Sequence, residues 1–346
     1  MGLQTPSASE AAASGDPGTP PGDSLKAGLK NRHLSMIAIG GVIGAGLFVG
    51  SGAGIAKAGP AILISYALAG LLVVLVMRML GEMAAADPSS GSFSTYADRA
   101  LGRWAGFTIG WLYWFFWVVV LAVEATAAAT ILTGWVPAVP QWAWALLVMI
   151  VLTATNLASV GSYGEFEFWF AGIKVVAIVA FIVIAGLAVF GVLPGTDAVG
   201  TENLTGQGGF LPNGPGAILS GMLLVVFSFM GSEIVTLAAG ESAEPSKMVR
   251  RATNSVIWRI GIFYLGSIGL AVALLPWNSD ALLKEGPYVA SLNEIGIPHA
   301  GTIMDVIVVT AVLSCLNSGL YTASRMAFSL GQRSDAPKAF GQTDKR

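Results

Sequence analysis

The chain has 346 residues, of which 54% are hydrophobic and only 11% are charged, with a formal net charge of −2. Soluble domains carry about 25% charged residues, so a chain with so few charges must turn most of its surface toward lipid. The net charge supplies no basic field for nucleic acid. The single cysteine excludes an intrachain disulfide, and the two distant histidines do not form a zinc or haem spacing. We therefore expect no metal and no cofactor.

The N-terminal segment predicts a disordered cytoplasmic tail over residues 1–28. Its first 24 residues are rich in Ser, Ala, Gly and Pro and contain no apolar run. A basic segment followed by an apolar one is missing, so we expect no cleaved signal peptide. Residues 29–332 predict a transmembrane domain, and residues 333–346 predict a cytoplasmic loop.

The transmembrane domain is predicted from apolar segments of about 20 residues, the length that crosses a bilayer. They indicate an all-α fold, a polytopic bundle of transmembrane helices. The eight predicted spans are Leu34–Ala56, Ala61–Leu80, Ala105–Leu132, Trp142–Val160, Phe166–Val192, Ala217–Ala239, Val256–Leu275 and Gly301–Leu330.

Positive charge is distributed unevenly between the segments that connect these spans. With a cytoplasmic N-terminus, most lysines and arginines fall inside, and only Lys57 and Lys284 fall outside. This asymmetry follows the positive-inside rule. It predicts a multi-pass protein of the cytoplasmic membrane, in bacteria the inner membrane, with its N-terminus in the cytoplasm.

Two predicted spans are poor continuous helices. The first has four glycines within Gly40–Gly46, each costing roughly 1 kcal/mol relative to Ala. The sixth contains the run Phe227–Glu233, which places an acid at membrane depth. These spans open two successive units of five helices. Breaks at matching positions are typical of inverted-repeat transporters with a site at the bilayer midplane. The symmetry is inferred from the breaks alone, since no clear sequence repeat is visible.

Unwound backbone inside a membrane can bind a zwitterion. Amides at a half-helix N-terminus attract a carboxylate, and carbonyls at a C-terminus attract an ammonium group. We assign the amides of Ala45 and Gly46 to a substrate carboxylate, and the carbonyls of Val42, Phe227 and Met230 to its amine. Alternatively, the glycines only permit close helix packing. Their spacing is not the G-x-G-x-x-G of a dinucleotide site.

Three ionisable residues within the predicted spans are functional candidates, because a charge at the bilayer centre costs about 2.5–3.5 kcal/mol on insertion scales. Lys174 is a candidate for proton coupling, or it extends to the inner surface. Glu233 is a candidate gate or proton carrier, or it bonds to unwound backbone. Glu124 is a candidate contact of the substrate amine, or it bonds to a neighbouring helix. No nucleophile–base pair accompanies them, so we expect no enzyme and no catalytic residue.

The chain resembles the amino acid–polyamine–organocation superfamily in the runs GGVIGAGLFVGSG, GEMAAADPSSGSFSTYADRALGRWAGFTIGWLYW and SYGEFEFWFAGIKVVAI. It is similar to the bacterial amino acid permeases in FSFMGSEIVTLAAGESAEP, RATNSVIWRI and SCLNSGLYTASRM. The resemblance covers residues 29–346. It implies inverted five-helix repeats and proton-coupled uptake of an amino acid, with gamma-aminobutyrate favoured, and the substrate contacts assigned above. It also implies that Lys174 takes the place of a sodium ion between spans one and eight, with Ser318 a possible neighbour.

Members of this superfamily have more spans than the eight predicted here. The sequence therefore predicts either a fragment of a longer product or a truncated gene product. The alternatives are a permease for another amino acid, a passive channel, and a non-transporting sensor or inert fragment of the same fold. A channel would need a continuous polar stripe along its helices, which the predicted spans lack. The expected partners are a small amino acid, protons and membrane lipid.

Overall fold

The computed structural model describes residues 32–33, 36, 40, 43–44, 46–87, 89, 91–158, 160–239 and 245–342. Val42, Ala45 and the predicted N-terminal tail lie outside the described residues. Within them the fold is all-helical, with no β-strand. The principal helices are α1 (Ser51–Ala58), α2 (Ile62–Ala86), α3 (Ser92–Leu101), α4 (Arg103–Trp135), α5 (Gln141–Ala158), α6 (Val160–Val189), α7 (Gly216–Val225), α8 (Ile234–Ala239), α9 (Pro245–Arg259), α10 (Ser267–Leu274) and α11 (Ala300–Gln332).

Several shorter helical elements connect the principal ones. They are π-helical at Gly46–Gly50 and Ile260–Gly266, 3-10 at Gly59–Ala61, Val226–Phe229 and Lys338–Gly341, and α-helical at Glu202–Thr205, Asp280–Lys284 and Pro287–Glu294. The last 3-10 helix lies in the segment predicted as a final loop.

Six helical stretches among the described residues are long and apolar enough to cross a membrane. They are Gly46–Ala86, Arg103–Trp135, Tyr163–Val189, Gly216–Ala238, Thr253–Leu274 and Ala300–Gln332. The first combines part of predicted span one with span two, because a 3-10 turn at Gly59–Ala61 joins α1 directly to α2. Predicted span four is a shorter apolar helix, Gln141–Leu157. The predicted number of eight spans therefore corresponds to six long helical stretches and one shorter helix.

The first predicted interruption is confirmed. Ile43 and Gly44 are not helical, and a π-helical segment begins at Gly46 and leads into α1. The Gly44 carbonyl accepts a hydrogen bond from the amide of Leu47 at 3.2 Å. The glycines thus separate the described residues before the break from a second half-helix, as their low helix propensity predicts.

The interruption of the sixth predicted span is also confirmed. Helix α7 tightens into the 3-10 turn Val226–Phe229, and Met230 is extended, with φ −58° and ψ 141°. Gly231 then adopts φ 92°, a left-handed conformation that favours glycine. The helix resumes as α8. The helix therefore breaks at Gly231, because glycine adopts a positive φ with little strain.

Helix α11 lies in the centre of the described bundle and packs against α4, α5 and α6. Small residues allow the close approach: a Cβ added at Gly319 would lie 2.8 Å from the Trp117 ring of α4. Large apolar side chains such as Leu112 and Val176 point outward and are exposed. This arrangement of a small-residue interior and an apolar exterior is typical of membrane helices.

Candidate functional site

The two interrupted segments meet inside the bundle. The Ser228 hydroxyl donates a hydrogen bond of 2.8 Å to the Gly46 carbonyl, and this contact is buried. A Cβ added at Gly46 would lie 2.9 Å from Cδ1 of Phe227 and 3.0 Å from Cα of Ser228. Only glycine fits at this crossing without a shift of the second segment. The predicted substrate residues Gly46 and Phe227 are therefore neighbours in space, although they are 181 residues apart in the sequence.

Aromatic side chains hold the second interruption in place. The Tyr264 hydroxyl donates a hydrogen bond of 2.7 Å to the Ser228 carbonyl. Its ring stacks on Phe229 with centroids 4.6 Å apart, and Tyr66 of α2 meets Phe229 edge-on at 5.9 Å. The carbonyl freed by the break thus finds a donor inside the bundle, as a buried backbone group requires.

Lys174 lies in a buried polar cluster between α6 and α11. Its Nζ donates a hydrogen bond of 2.8 Å to the Ser314 hydroxyl, which in turn donates to Oε1 of Glu167 at 2.6 Å. Lys174 Nζ and Glu167 Oε1 are 4.0 Å apart, and both side chains are fully buried. The alternative that Lys174 extends to the inner surface is therefore wrong, because its partners hold it in the interior.

Glu124 lies against the first interruption. It is buried on α4, and its Oε1 is 3.4 Å from the position that a Gly44 Cβ would occupy. The Cys315 sulphur of α11 is 3.5 Å from the same position. Glu124 therefore lies beside non-helical backbone in the bundle interior.

Glu233 is bonded to the second interruption. Its Oε1 accepts a hydrogen bond of 2.7 Å from the Tyr113 hydroxyl, and its Oε2 accepts one of 3.1 Å from the Gly231 amide. The Tyr113 ring meets Phe93 of α3 edge-on at 4.6 Å. The predicted alternative, hydrogen bonding between Glu233 and unwound backbone, is present, with the Gly231 amide as the donor. Glu233 thus ties the break to α4, whose Tyr113 packs in turn against α3.

Comparison with known proteins identifies the family. The family model described as amino acid permease matches residues 33–346. The chain belongs to the amino acid permease family.

Several relatives match 92–94% of this permease, and the permease spans about two thirds of their length. A probable GABA permease of Pseudomonas aeruginosa is 59% identical over an alignment that covers 93% of this chain and 68% of the length of that protein. The gamma-aminobutyric acid permease of Bacillus subtilis is 58% identical with the same coverage. The aromatic amino acid transport protein AroP of Corynebacterium glutamicum is 47% identical, covering 92% of this chain and 70% of its own.

Two partners of Lys174, Ser314 and Glu167, were not predicted from the sequence, which indicated Ser318 as the neighbour. The hydroxyl that bonds Lys174 is that of Ser314, one helical turn before Ser318. Ser318 itself is buried with its Oγ 3.4 Å from the Tyr163 hydroxyl. The expected neighbour of Lys174 is thus displaced by one turn, because four residues along a helix bring the same face back. Glu167 was overlooked, although its spacing of seven residues from Lys174 places both on one face of α6.

One of the two predicted carbonyl acceptors of the second interruption, that of Phe227, already accepts a hydrogen bond within the permease. The Phe227 carbonyl accepts the Met230 amide at 3.3 Å, which closes the local turn. A carbonyl oxygen has a second lone pair, so this bond does not prevent a further contact. The Phe227 and Met230 side chains pack beside a buried aromatic cluster that includes Trp117 and Tyr163.

The described part of the permease holds no group of three or more His, Cys, Asp or Glu residues that could bind a metal ion. Cys315 is buried. Among the described residues, the buried polar groups include the carboxylates of Glu124 and Glu167, the ammonium of Lys174, several hydroxyls and the freed backbone groups. These groups can bind a small zwitterion by hydrogen bonds and charge.

Proposed function

We propose that this permease carries gamma-aminobutyrate into the cell by proton-coupled transport. The observation that supports it best is the buried contact between the two interrupted helices at Gly46 and Ser228. Helix ends that meet inside a membrane bundle present backbone dipoles to a small ligand. Relatives named for this substrate are 57–59% identical to the chain, whereas relatives named for aromatic amino acids are 43–47% identical.

The proposed site binds the two ends of the substrate with opposite charges. The substrate carboxylate is assigned to the amide of Gly46, where the second half-helix begins, and to the amide of Ala45, which lies outside the described residues. The ammonium group is assigned to the carbonyl of Met230 and, outside the described residues, to that of Val42. Glu124, buried beside Gly44, supplies a carboxyl group on the same side of the proposed site. Phe227 contributes its carbonyl and forms one wall of the site.

The proposed coupling group is Lys174. Protonated, it attracts the Glu167 carboxylate and donates to Ser314, which links α6 to α11. Loss of the proton removes the ionic part of this link and leaves only a neutral hydrogen bond to Ser314. The packing of the two helices would then depend on the proton, as alternating access requires a two-state element.

Substrate choice is tested by uptake into proteoliposomes that contain the purified protein. We expect labelled gamma-aminobutyrate to accumulate and excess unlabelled gamma-aminobutyrate to suppress it, with excess phenylalanine or tryptophan having little effect. Suppression by the aromatic amino acids alone would favour the second set of relatives. Saturable binding without uptake would favour a non-transporting sensor.

Coupling is tested in the same vesicles by imposing an inward proton gradient and then removing it with a protonophore. We expect uptake to rise with the gradient and to lose this stimulation in Lys174→Ala, which should retain exchange of labelled for unlabelled substrate. Uptake that ignores the gradient would refute proton coupling and leave the substrate proposal intact. Stimulation that persists in Lys174→Ala would refute the role of the lysine.

We propose an inner-membrane location with a cytoplasmic N-terminus, supported by the positive-charge distribution. The native Cys315 is buried, so introduced cysteines can be labelled selectively. In intact cells an impermeant maleimide should label Lys284→Cys and should label Lys338→Cys only after the membrane is opened. The reverse pattern would invert the proposed orientation.

A further inference from the structure

A cavity of about 380 Å³ with charged side chains in its lining lies between α2 and α9, away from the proposed substrate site. The two helices touch at Gly81, where an added Cβ would lie 2.4 Å from the Thr253 hydroxyl. Arg78 and Glu82 line it from α2, and Arg250 and Thr253 line it from α9. The cavity therefore bridges two helices that are far apart in the sequence.

The lining of this cavity carries an excess of positive charge. Arg78 and Arg250 face one carboxylate, that of Glu82. Both arginines are exposed, and neither has an ion-pair partner within the part of the chain that the structure describes. The buried Thr253 Oγ1 likewise has no hydrogen-bond partner among these residues. Two guanidinium groups and an unused hydroxyl suit an anion that has several oxygen acceptors.

The surface beside the cavity is apolar. Leu71 and Leu75 lie seven and three residues before Arg78, so all three share one face of α2. These leucines are 56% and 52% exposed. Trp258 follows the lining residue Asn254 by one turn of α9 and is 72% exposed, as expected of a residue at a membrane interface. A ligand for this surface must combine an anionic group with a hydrocarbon chain.

We propose that the cavity binds the headgroup of an anionic phospholipid. Arg78 and Arg250 bind the phosphate, Thr253 and Asn254 bond to headgroup or ester oxygens, and an acyl chain lies along Leu71 and Leu75. Basic pockets between transmembrane helices bind anionic headgroups by this combination of charge and apolar contact. The positive-inside orientation assigns this lipid to the cytoplasmic leaflet.

Native mass spectrometry of the detergent-purified chain tests the proposal. The protein is titrated with phosphatidylglycerol and with phosphatidylcholine of the same acyl chains. We expect tighter binding of phosphatidylglycerol, weakened about fivefold by Arg78→Gln and about fivefold by Arg250→Gln. The matched control Lys338→Gln removes an exposed positive charge elsewhere and should leave binding unchanged. Equal binding of the two lipids, or full retention of phosphatidylglycerol by the double variant Arg78→Gln/Arg250→Gln, would overturn the proposal.

Two further measurements refine the proposal. The first distinguishes a lipid site from a site for soluble phosphate. The second tests whether the arginines act through their charge or only through their shape. Excess inorganic phosphate should not displace phosphatidylglycerol, because it lacks the acyl contact; complete displacement would indicate a site for soluble phosphate and overturn the lipid assignment. The variant Arg78→Lys/Arg250→Lys keeps both charges and should retain the preference for phosphatidylglycerol. If it lost the preference while folding normally, charge attraction would not be the cause. Neither result depends on whether the chain transports an amino acid.

Discussion

The buried pair of Lys174 and Glu167 makes a quantitative prediction. The replacement Lys174→Met removes the ammonium from a site where Nζ is 4.0 Å from the Glu167 carboxylate and both side chains are fully buried. At that separation two charges attract by about 4 kcal/mol for an effective dielectric constant of 20. Breaking a buried pair from one side costs about 3–5 kcal/mol, because the remaining charge is left without compensation. We expect Lys174→Met to lower the free energy of unfolding by this amount, and Glu167→Gln to lower it by a similar amount.

The double variant decides whether the two losses share a cause. In Lys174→Met/Glu167→Gln no charge remains to be compensated, so we expect most of the lost stability to return. The assay is denaturant unfolding in detergent followed by tryptophan fluorescence. Lys284→Met is the matched control, since its pair with Asp280 is exposed and should contribute little. If the losses of unfolding free energy simply added in the double variant, the two residues would not interact, and the argument from charge burial would be refuted.

Three further predictions concern the interrupted helices. Gly46→Ala places a Cβ 2.9 Å from Phe227 and should reduce uptake about tenfold or more, while Gly186→Ala, which meets nothing within 4 Å, should leave uptake unchanged. Ser228→Ala removes the bond to the Gly46 carbonyl and should cost about 1 kcal/mol of unfolding free energy; an unchanged melting temperature would contradict this. Glu233→Ala should cost about 1–3 kcal/mol by leaving two donors without acceptors, and Glu233→Gln, whose one amide oxygen can accept from one of them, should recover part of it in the same melting assay.

The interruptions were predictable because their causes are local. Glycine lacks a Cβ and weakens a helix wherever it clusters, so the run from Gly40 to Gly46 indicates a break without knowledge of its neighbours. The break at Gly231 follows from the same property, since its φ of 92° is open to glycine at little cost. The meeting of these two breaks at Ser228 required the tertiary structure, because no local pattern links them.

The partners of the buried ionisable groups were less predictable. Hydropathy places the charge of Lys174 within a membrane span, where a charge is unfavourable. It does not show whether the side chain reaches the surface or pairs with a buried carboxylate. The seven-residue spacing from Glu167 was an available signal, whereas the choice of Ser314 over Ser318 depends on how α11 is rotated against α6. Rotation of one helix against another is set by contacts along both, which the sequence of either alone does not contain.

The sequence by itself determined that the chain lies in a membrane, where its helices lie and where two of them break, because hydrophobicity and backbone propensity act over short stretches. The tertiary structure alone decided that Gly46 meets Ser228, that Lys174 is buried with Glu167, and that Arg78 and Arg250 line one cavity. These juxtapositions join residues from distant helices, and the physical reason is that packing between helices selects among many rotations and pairings with similar local energies.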